Sequence, residues 1–570
     1  MMTEKNLSYF RTNGDLPLLV ETIPARLKAI AERYPENEVV VCLPQNRRLT
    51  YAELIKQVDE LAAGLAAFGY TKGDRIGIWS TNNIEWLLLQ LATARLGIIL
   101  VNINPAYRLK ELAYALTRSE VQGLFVIPAF RKSDYVAMLR ELLPELESCP
   151  VHGLHSEEFP FLKRVVLYEP DDPADTKRPA PGFTLWAEVL AAGADFEPAE
   201  LEQQTDDLSC FDPINIQYTS GTTGFPKAVV LTHHNILNNA YFSALIMRFN
   251  EQDRLCVPVP FYHCFGMVLA NLLCLSVGAT IVIACDHFDP GLVLKAVDQE
   301  RCTAIHGVPT MFIAELDHPD FKKFDLSSLR TGIMAGAPCA PALMERVMRD
   351  MHCSEILIGY GETEASPLTH LTRPDDSVER RLTTVGRNLP HQEVRIADLA
   401  GNQTVALGAT GEICFRGYHI MQGYYGDPAA TAKAIDNDGW LHSGDLGVMD
   451  AEGYVRITGR LKEMIIRGGE NIYPREIEDL LFTHPQVAQV AVFGVPDDFY
   501  GEEIMAWIKV REGDLLSEDE VRDFCRSGLA HFKVPRYIEF VDDFPMTVTG
   551  KMQKFKMREM AVVKMAGLCG

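Results

Sequence analysis

The chain is 570 residues long, 47% hydrophobic, and carries a formal net charge of −23, so it is too long for one core and should divide into two or more domains. Such acidity argues against a nucleic-acid or anionic-membrane surface and suits plain solubility, while leaving room for a local basic pocket around a phosphorylated ligand. Thirteen scattered cysteines, the closest pair being Cys256 and Cys264, show no CxxC and no Cys/His spacing suited to zinc, which points to reduced, buried thiols and a cytoplasmic location.

The first residues contain no apolar run, so no signal peptide is expected. Short β-branched runs then alternate with helical patterns: a strand at 39–42, a helix at 51–68, a strand at 75–78 and a helix at 84–96. Such βα alternation implies sheets covered by helices. The most apolar segment, 84–103, contains Glu85, Gln90 and Arg95, each costly at a bilayer centre, and so reads as helix plus strand inside a core. No membrane span is expected; peripheral membrane association and a homodimer stay open. Residues 145–198 are rich in Pro, Asp and Glu and read as a surface excursion. Strands are expected at 214–218, 228–231, 279–284, 302–307, 331–335 and 355–358, giving two related sheet layers. After about residue 385 glycine-punctuated strands at 411–417 and 453–457 suggest a compact all-β segment. The last stretch returns to α/β character, with strands at 463–467, 487–495 and 503–511. A helix at 474–484 opens on Pro474, and another at 518–529 has Ser517 and Glu520 spaced as a capping box.

Between the runs at 214–218 and 228–231 lies the most informative loop: Thr219, Ser220, Gly221, Thr222, Thr223, Gly224 and Lys227. Glycines let the backbone approach an anion, hydroxyls add donors and a lysine adds a point charge, the composition of a polyphosphate cradle. It is not a Walker A sequence, because Phe225 and Pro226 separate Gly224 from Lys227 and Ala228 follows. A flexible linker is the bland alternative.

Five other segments are dense in glycine, charge and aromatic residues. Gly336, Ala337 and Pro338 follow a strand, where open α/β sheets bind ligands. Tyr360, Gly361, Glu362, Thr363 and Glu364 do the same, offering a flat ring for a base, a hydroxyl for a phosphate and a hard oxygen for Mg2+. Asp445 follows Gly444, where its oxygens could hold ribose hydroxyls or only close a turn. Arg460, Lys462, Gly468 and Gly469 join the β segment to the last domain, and Lys551 follows Gly550 near the C-terminus.

In order and spacing, from residues 49–53 and 72–75 through Lys551, this set resembles the adenylate-forming superfamily of acyl-CoA synthetases, luciferases and peptide-synthetase adenylation domains. Within it the chain looks most like bacterial medium- to long-chain fatty-acyl-CoA synthetases. The resemblance implies an α/β fold: a large N-terminal domain (1–459) of two βα-layered sheets plus a small β-rich subdomain, then a small mobile α+β C-terminal domain (460–570). It also implies ATP, Mg2+ and coenzyme A, and a two-step reaction through acyl-AMP to a thioester.

By the same resemblance Lys551 bridges the carboxylate and the α-phosphate, and the loop 219–227 holds the β- and γ-phosphates. Thr363 and Glu364 hold the α-phosphate and Mg2+. Gly336, Ala337, Pro338, Tyr360 and Gly361 enclose the adenine, and Asp445 with Arg460 positions the ribose. Lys462 is the hinge, and Gly468 and Gly469 line the pantetheine path unless they simply form a surface turn. His263 lies between carboxylate and nucleotide unless it is a core histidine, and acetylation of Lys551 would remove the charge the first step needs. Apolar residues near His263 (Met267, Val268, Leu269, Leu272, Met311 and Phe312) suit an aliphatic chain, as they would suit a helix core. No basic residue stands out in the motif at 260–266, which disfavours dicarboxylic acids. Glu362 departs from the Met, Leu or Gln often found there, and would favour a polar or shortened substrate if it faces the acyl site. An aryl-CoA ligase, a luciferase-like oxygenase and a non-catalytic acyl-binding protein are the alternatives.

Overall fold

The computed structural model describes residues 6–148, 153–170, 181–219, 226–337, 339–511, 513–546 and 552–568. Within this range Val39, Val40, Val41 and Cys42 are all buried, as expected of parallel strands covered on both faces. They belong to a nine-stranded sheet ordered Arg387–Asn388, Leu368–Leu371, Glu355–Gly361, Thr331–Ala335, Ala304–Gly307, Arg254–Cys256, Thr280–Ile283, Glu38–Cys42, Arg47–Thr50. Its centre is parallel from Glu355–Gly361 to Glu38–Cys42, and the strands at both edges are antiparallel. A second sheet of eight strands runs Thr184–Leu185, Arg164–Leu167, Gly123–Val126, Arg75–Trp79, Ile99–Ile103, Pro213–Thr219, Lys227–Thr232, Gly423–Tyr424. It is parallel up to Pro213–Thr219 and antiparallel beyond.

The helix Ile84–Leu96 is buried along its whole length, capped by the Asn83 side chain and ended by Gly97 at φ 68°. Its ionisable residues are paired: Glu85 with Arg47, and Arg95 with Asp59 at 3.0 Å and Glu202 at 2.7 Å. Pairing is what lets a fully buried helix carry charge. The segment is therefore core helix and strand, and among the described residues no helix is long and apolar enough to cross a membrane.

The all-β segment is a five-stranded antiparallel sheet of Tyr9–Arg11, Gln392–Ala397, Gly411–Gly417, Leu441–Met449 and Val455–Arg460. The C-terminal part builds its own sheet from Glu470–Ile472, Ile465–Arg467, Gly501–Val510, Val487–Asp497 and Tyr537–Phe540. Ile465, Ile477, Leu481, Val492 and Ile508 form one of its separate cores, and Trp507, Met557 and Ala561 another. The architecture is thus a large mixed α/β N-terminal domain followed by a smaller C-terminal one.

Part of the expected surface excursion at 145–198 belongs instead to the core. Arg164–Leu167 and Thr184–Leu185 extend the eight-stranded sheet, and Val165, Val166, Phe183, Trp186 and Val189 are buried. The Pro- and Asp-rich run between them masks two short apolar segments. The helix at 474 ends at Phe482, and the strand Arg254–Cys256 and the N-terminal strand Tyr9–Arg11 are additional. The Ser517–Glu520 capping box is present.

A second capping box opens the helix Tyr51–Ala67, where Thr50 Oγ1 accepts from Glu53 N at 3.2 Å and Glu53 Oε2 from Thr50 N at 2.8 Å. Thr50→Ala is expected to lower stability by about 1 kcal/mol, measured by urea denaturation; an unchanged midpoint would contradict the cap.

Candidate active site

The strand Glu355–Gly361 ends at the carboxyl edge of the nine-stranded sheet, where open α/β sheets hold ligands. Gly361 is required there, because a Cβ would lie 2.0 Å from the Pro367 carbonyl oxygen. Tyr360, just before it, donates its hydroxyl to Asp445 Oδ2 at 2.8 Å. Burial and then the adjacent Asp445 carboxylate hold the phenol well above its usual range, so it remains a donor. Arg460 Nε contacts the other oxygen, Asp445 Oδ1, at 2.8 Å. Strand pairing sets this arrangement, since Asp445 and Arg460 are register partners on Leu441–Met449 and Val455–Arg460.

Asp445 itself sits on an irregularity. Glu412 pairs with Leu446 and Cys414 with His442, so three residues on one strand face a single residue, Ile413, on the other. Such bulges re-aim side chains. Ser443 Oγ donates to Ile413 O at 2.6 Å and accepts from Asp445 N at 3.0 Å, while Glu412 Oε1 accepts from Gly444 N at 3.0 Å. Gly444 has φ 71°, a conformation that favours glycine.

After Gly361 the chain turns through Thr363–Ala365. Thr363 is buried, its Oγ1 3.6 Å from Cys264 Sγ, and Cys264 Sγ is 3.6 Å from His263 Nδ1. Thr363 and His263 are thereby brought together. His263 also caps the short helix Cys264–Gly266, accepting from Phe265 N at 3.1 Å, and a π-helical turn, Met267–Leu272, follows. Glu364 Oε1 accepts from Tyr424 OH at 2.9 Å, and Lys227 Nζ lies 4.4 Å from the centre of the Tyr424 ring. One tyrosine therefore links Lys227 on the eight-stranded sheet to Glu364 beside the nine-stranded one.

Glu362 faces the acids Glu364 and Asp445. Burial, then the charges of Glu364 and Asp445, push its carboxyl well above the usual range, and its Oε1 is buried without a hydrogen-bond partner. The Glu364 carboxylate on the same turn is a hard oxygen donor of the kind that fits Mg2+. Gly336 (φ 87°) and Ala337 follow the strand Thr331–Ala335. Lys462 lies in the turn Leu461–Glu463 just after Arg460. Gly468 and Gly469, at φ 58° and 90°, form the two-residue turn between Ile465–Arg467 and Glu470–Ile472, which by itself accounts for both glycines. Met267, Val268, Leu269, Leu272, Met311 and Phe312 are all buried in the protein core. Ser220, Gly221, Thr222, Thr223, Gly224, Pro338 and Lys551 lie outside the described residues.

Three participants carry no role in the sequence reading: Tyr424, Glu412 and His442. Glu412 lies in the run 411–417, which reads only as a strand, and His442 lies three residues before Asp445, which alone draws attention. His442 Nδ1 lies 2.7 Å from Glu412 Oε2 and 3.6 Å from Cys414 Sγ, and its Nε2 3.4 Å from Asp436 Oδ2. Hydrogen bonding to Cys414 and Glu412 pushes the imidazole up to about 10. Burial pushes the Cys414 thiol up and keeps it neutral, so Glu412 supplies the balancing negative charge.

Residues 27–425 match the family described as AMP-binding enzyme, and residues 476–551 match the AMP-binding enzyme C-terminal domain. The chain belongs to the AMP-binding enzyme family. It is 49% identical over 545 residues to the putative acyl-CoA synthetase YngI of Bacillus subtilis (strain 168), covering 96% of this chain and 98% of the relative. It is 41% identical over 558 residues to the mitochondrial medium-chain acyl-CoA ligase ACSF2 of Homo sapiens, covering 97% and 89%. Among solved structures, ATP-bound MatB from Rhodopseudomonas palustris superimposes with a TM-score of 0.80 at 27% identity, covering 95% of this chain and 99% of that one.

Because the His442 value is raised on folding, its stabilising contribution is complete below about pH 6.5, the unfolded value, and disappears as pH rises through about 10. Melting temperature followed from pH 6 to 10 should fall less steeply in His442→Gln than in the parent; parallel curves would contradict the protonated pair.

Proposed function

We propose that the protein joins a fatty acid of medium to long chain to coenzyme A in two steps, acyl-adenylate formation from ATP with release of pyrophosphate, then thioester formation with release of AMP. It is an AMP-forming acid–thiol ligase. The observation that carries the reading is the Asp445 carboxylate, held between the Tyr360 hydroxyl and the Arg460 guanidinium at the carboxyl edge of the sheet. Two oxygens fixed in this way suit the vicinal hydroxyls of a ribose. The relatives named as acyl-CoA synthetase or ligase support the acyl and thiol halves.

The first step joins two anions, so its barrier is mainly electrostatic. Lys227 and the rest of the loop 219–227 hold the β- and γ-phosphates, and Thr363 donates its hydroxyl to the α-phosphate. Glu364 would hold Mg2+, which when bound neutralises phosphate charge. Tyr360, Gly361, Gly336, Ala337 and Pro338 border the adenine, and Arg460 supports the ribose beside Asp445. His263 stands between the carboxylate and Thr363. Lys551, carried by the C-terminal domain (460–570), bridges carboxylate and α-phosphate as a compact three-donor cation. Rotation about Lys462 then withdraws it from the N-terminal domain (1–459), and Gly468 and Gly469 border the thiol path. Glu362, its carboxyl pushed well above the usual range by burial and by Glu364 and Asp445, sits among the nucleotide-side carboxylates. The described cysteines are free and, apart from Cys339, buried, which supports a reducing, cytoplasmic setting.

Pyrophosphate release across a series of straight-chain acids, with and without coenzyme A, tests the substrate class. Acid-dependent release with an optimum at medium or long chains is expected; preference for aromatic acids, or no acid dependence, would overturn it. Lys551→Ala should slow adenylation by about 100-fold or more while sparing transfer from preformed acyl-AMP; equal loss of both half-reactions would contradict the assigned role. Lys462→Pro should slow thioester formation more than adenylation.

A further inference from the structure

The geometry points to Glu412 and His442 as positioning residues for the Asp445 carboxylate: Glu412 holds the strand bulge that aims Asp445, and His442 holds Glu412. The inference rests on Asp445 being the ribose anchor proposed above. Bulging at Ser443, Gly444 and Asp445 removes backbone groups from the ladder with Gly411–Gly417. The Gly444 N–H finds its partner in Glu412 Oε1 at 3.0 Å, from the strand it would otherwise have paired with. The bulge is thus tied down at two points, at Gly444 by Glu412 and at Ser443 by its 2.6 Å bond to Ile413 O.

The Glu412 side chain is itself fixed. Its other oxygen, Oε2, receives His442 Nδ1–H at 2.7 Å, and the far ring nitrogen faces Asp436 Oδ2 at 3.4 Å. Asp436 is held in turn by the N–H groups of Asp438 and Trp440, both at 2.9 Å, and by Arg395 at 3.3 Å. The imidazolium is therefore gripped from both sides, and the Glu412 carboxylate is left with one free direction, toward Gly444. Charge-assisted hydrogen bonds of this kind are short and directional. Glu412, Cys414 and His442 also place a carboxylate, a thiol and an imidazole within 4.8 Å of one another. In this structure Nδ1 of the ring lies 2.7 Å from Glu412 Oε2 and is engaged with that carboxylate.

A positioning role has a readout that a merely structural one lacks, the discrimination between ATP and its 2′-deoxy and 3′-deoxy analogues. Steady-state kinetics would be measured for Glu412→Gln, His442→Gln, Asp445→Ala and the two double variants with Asp445→Ala, with melting temperatures confirming folded protein. Glu412→Gln and His442→Gln are expected to reduce the preference for ATP over the deoxy analogues about tenfold, as loss of a hydrogen bond to a charged group would. The change should lie in KM for the nucleotide, with KM for the acid unaffected, and should shrink to less than about twofold when Asp445 is already alanine. Full discrimination in Glu412→Gln and His442→Gln, with discrimination lost in Asp445→Ala, would overturn this inference alone. Full discrimination in Asp445→Ala would overturn the ribose assignment and this inference with it.

Discussion

The candidate site depends on a mismatch in one antiparallel ladder. Between two regular pairs, Glu412 with Leu446 and Cys414 with His442, the strand Leu441–Met449 carries three residues where Gly411–Gly417 carries one. A continuous ladder would alternate side chains between faces and leave Asp445 wherever that alternation put it. The bulge breaks the alternation, and its cost in unpaired backbone groups is offset by Ser443 and Glu412. Asp445 can then be buried and still meet two donors, one from the nine-stranded sheet and one from the neighbouring strand Val455–Arg460.

Asp445, Glu362, Glu364 and Glu412 concentrate carboxylates near the site proposed for a polyanion. The arrangement is reasonable because each acid is neutralised or committed. Asp445 is paired with Arg460, Glu412 with protonated His442, Glu364 accepts from Tyr424, and Glu362 is pushed toward its neutral form. Lys227 supplies positive charge from the other sheet, resting on the same Tyr424 ring. Tyr424 thus ties the two large sheets together at the point where phosphates and a divalent cation would meet.

Much of this was legible in the sequence, for physical reasons. Parallel strands buried on both faces read as unbroken apolar runs, so 39–42 and 331–335 stood out, and the charged residues of 84–96 argued correctly for a protein core. Short strands without such runs did not stand out: Tyr9–Arg11 is three residues, and Arg164–Leu167 lies beside a Pro- and Asp-rich stretch. Asp445, Tyr360 and Glu364 were visible because glycine and charge crowd around them. Glu412 and His442 were in plain view, but their pairing spans thirty residues and exists only in the bulged register. Gly468 and Gly469 carry two readings in the sequence, a pantetheine path and a surface turn, and the two-residue hairpin turn with both φ values positive is visible in the backbone.

The most direct measurement is a crystal structure of the full chain with a non-hydrolysable acyl-adenylate analogue. Both ribose hydroxyls are expected within about 3.2 Å of the Asp445 carboxylate oxygens, with the Ser443 and Glu412 contacts of the bulge intact. An adenylate bound with its ribose away from Asp445 would contradict the central claim.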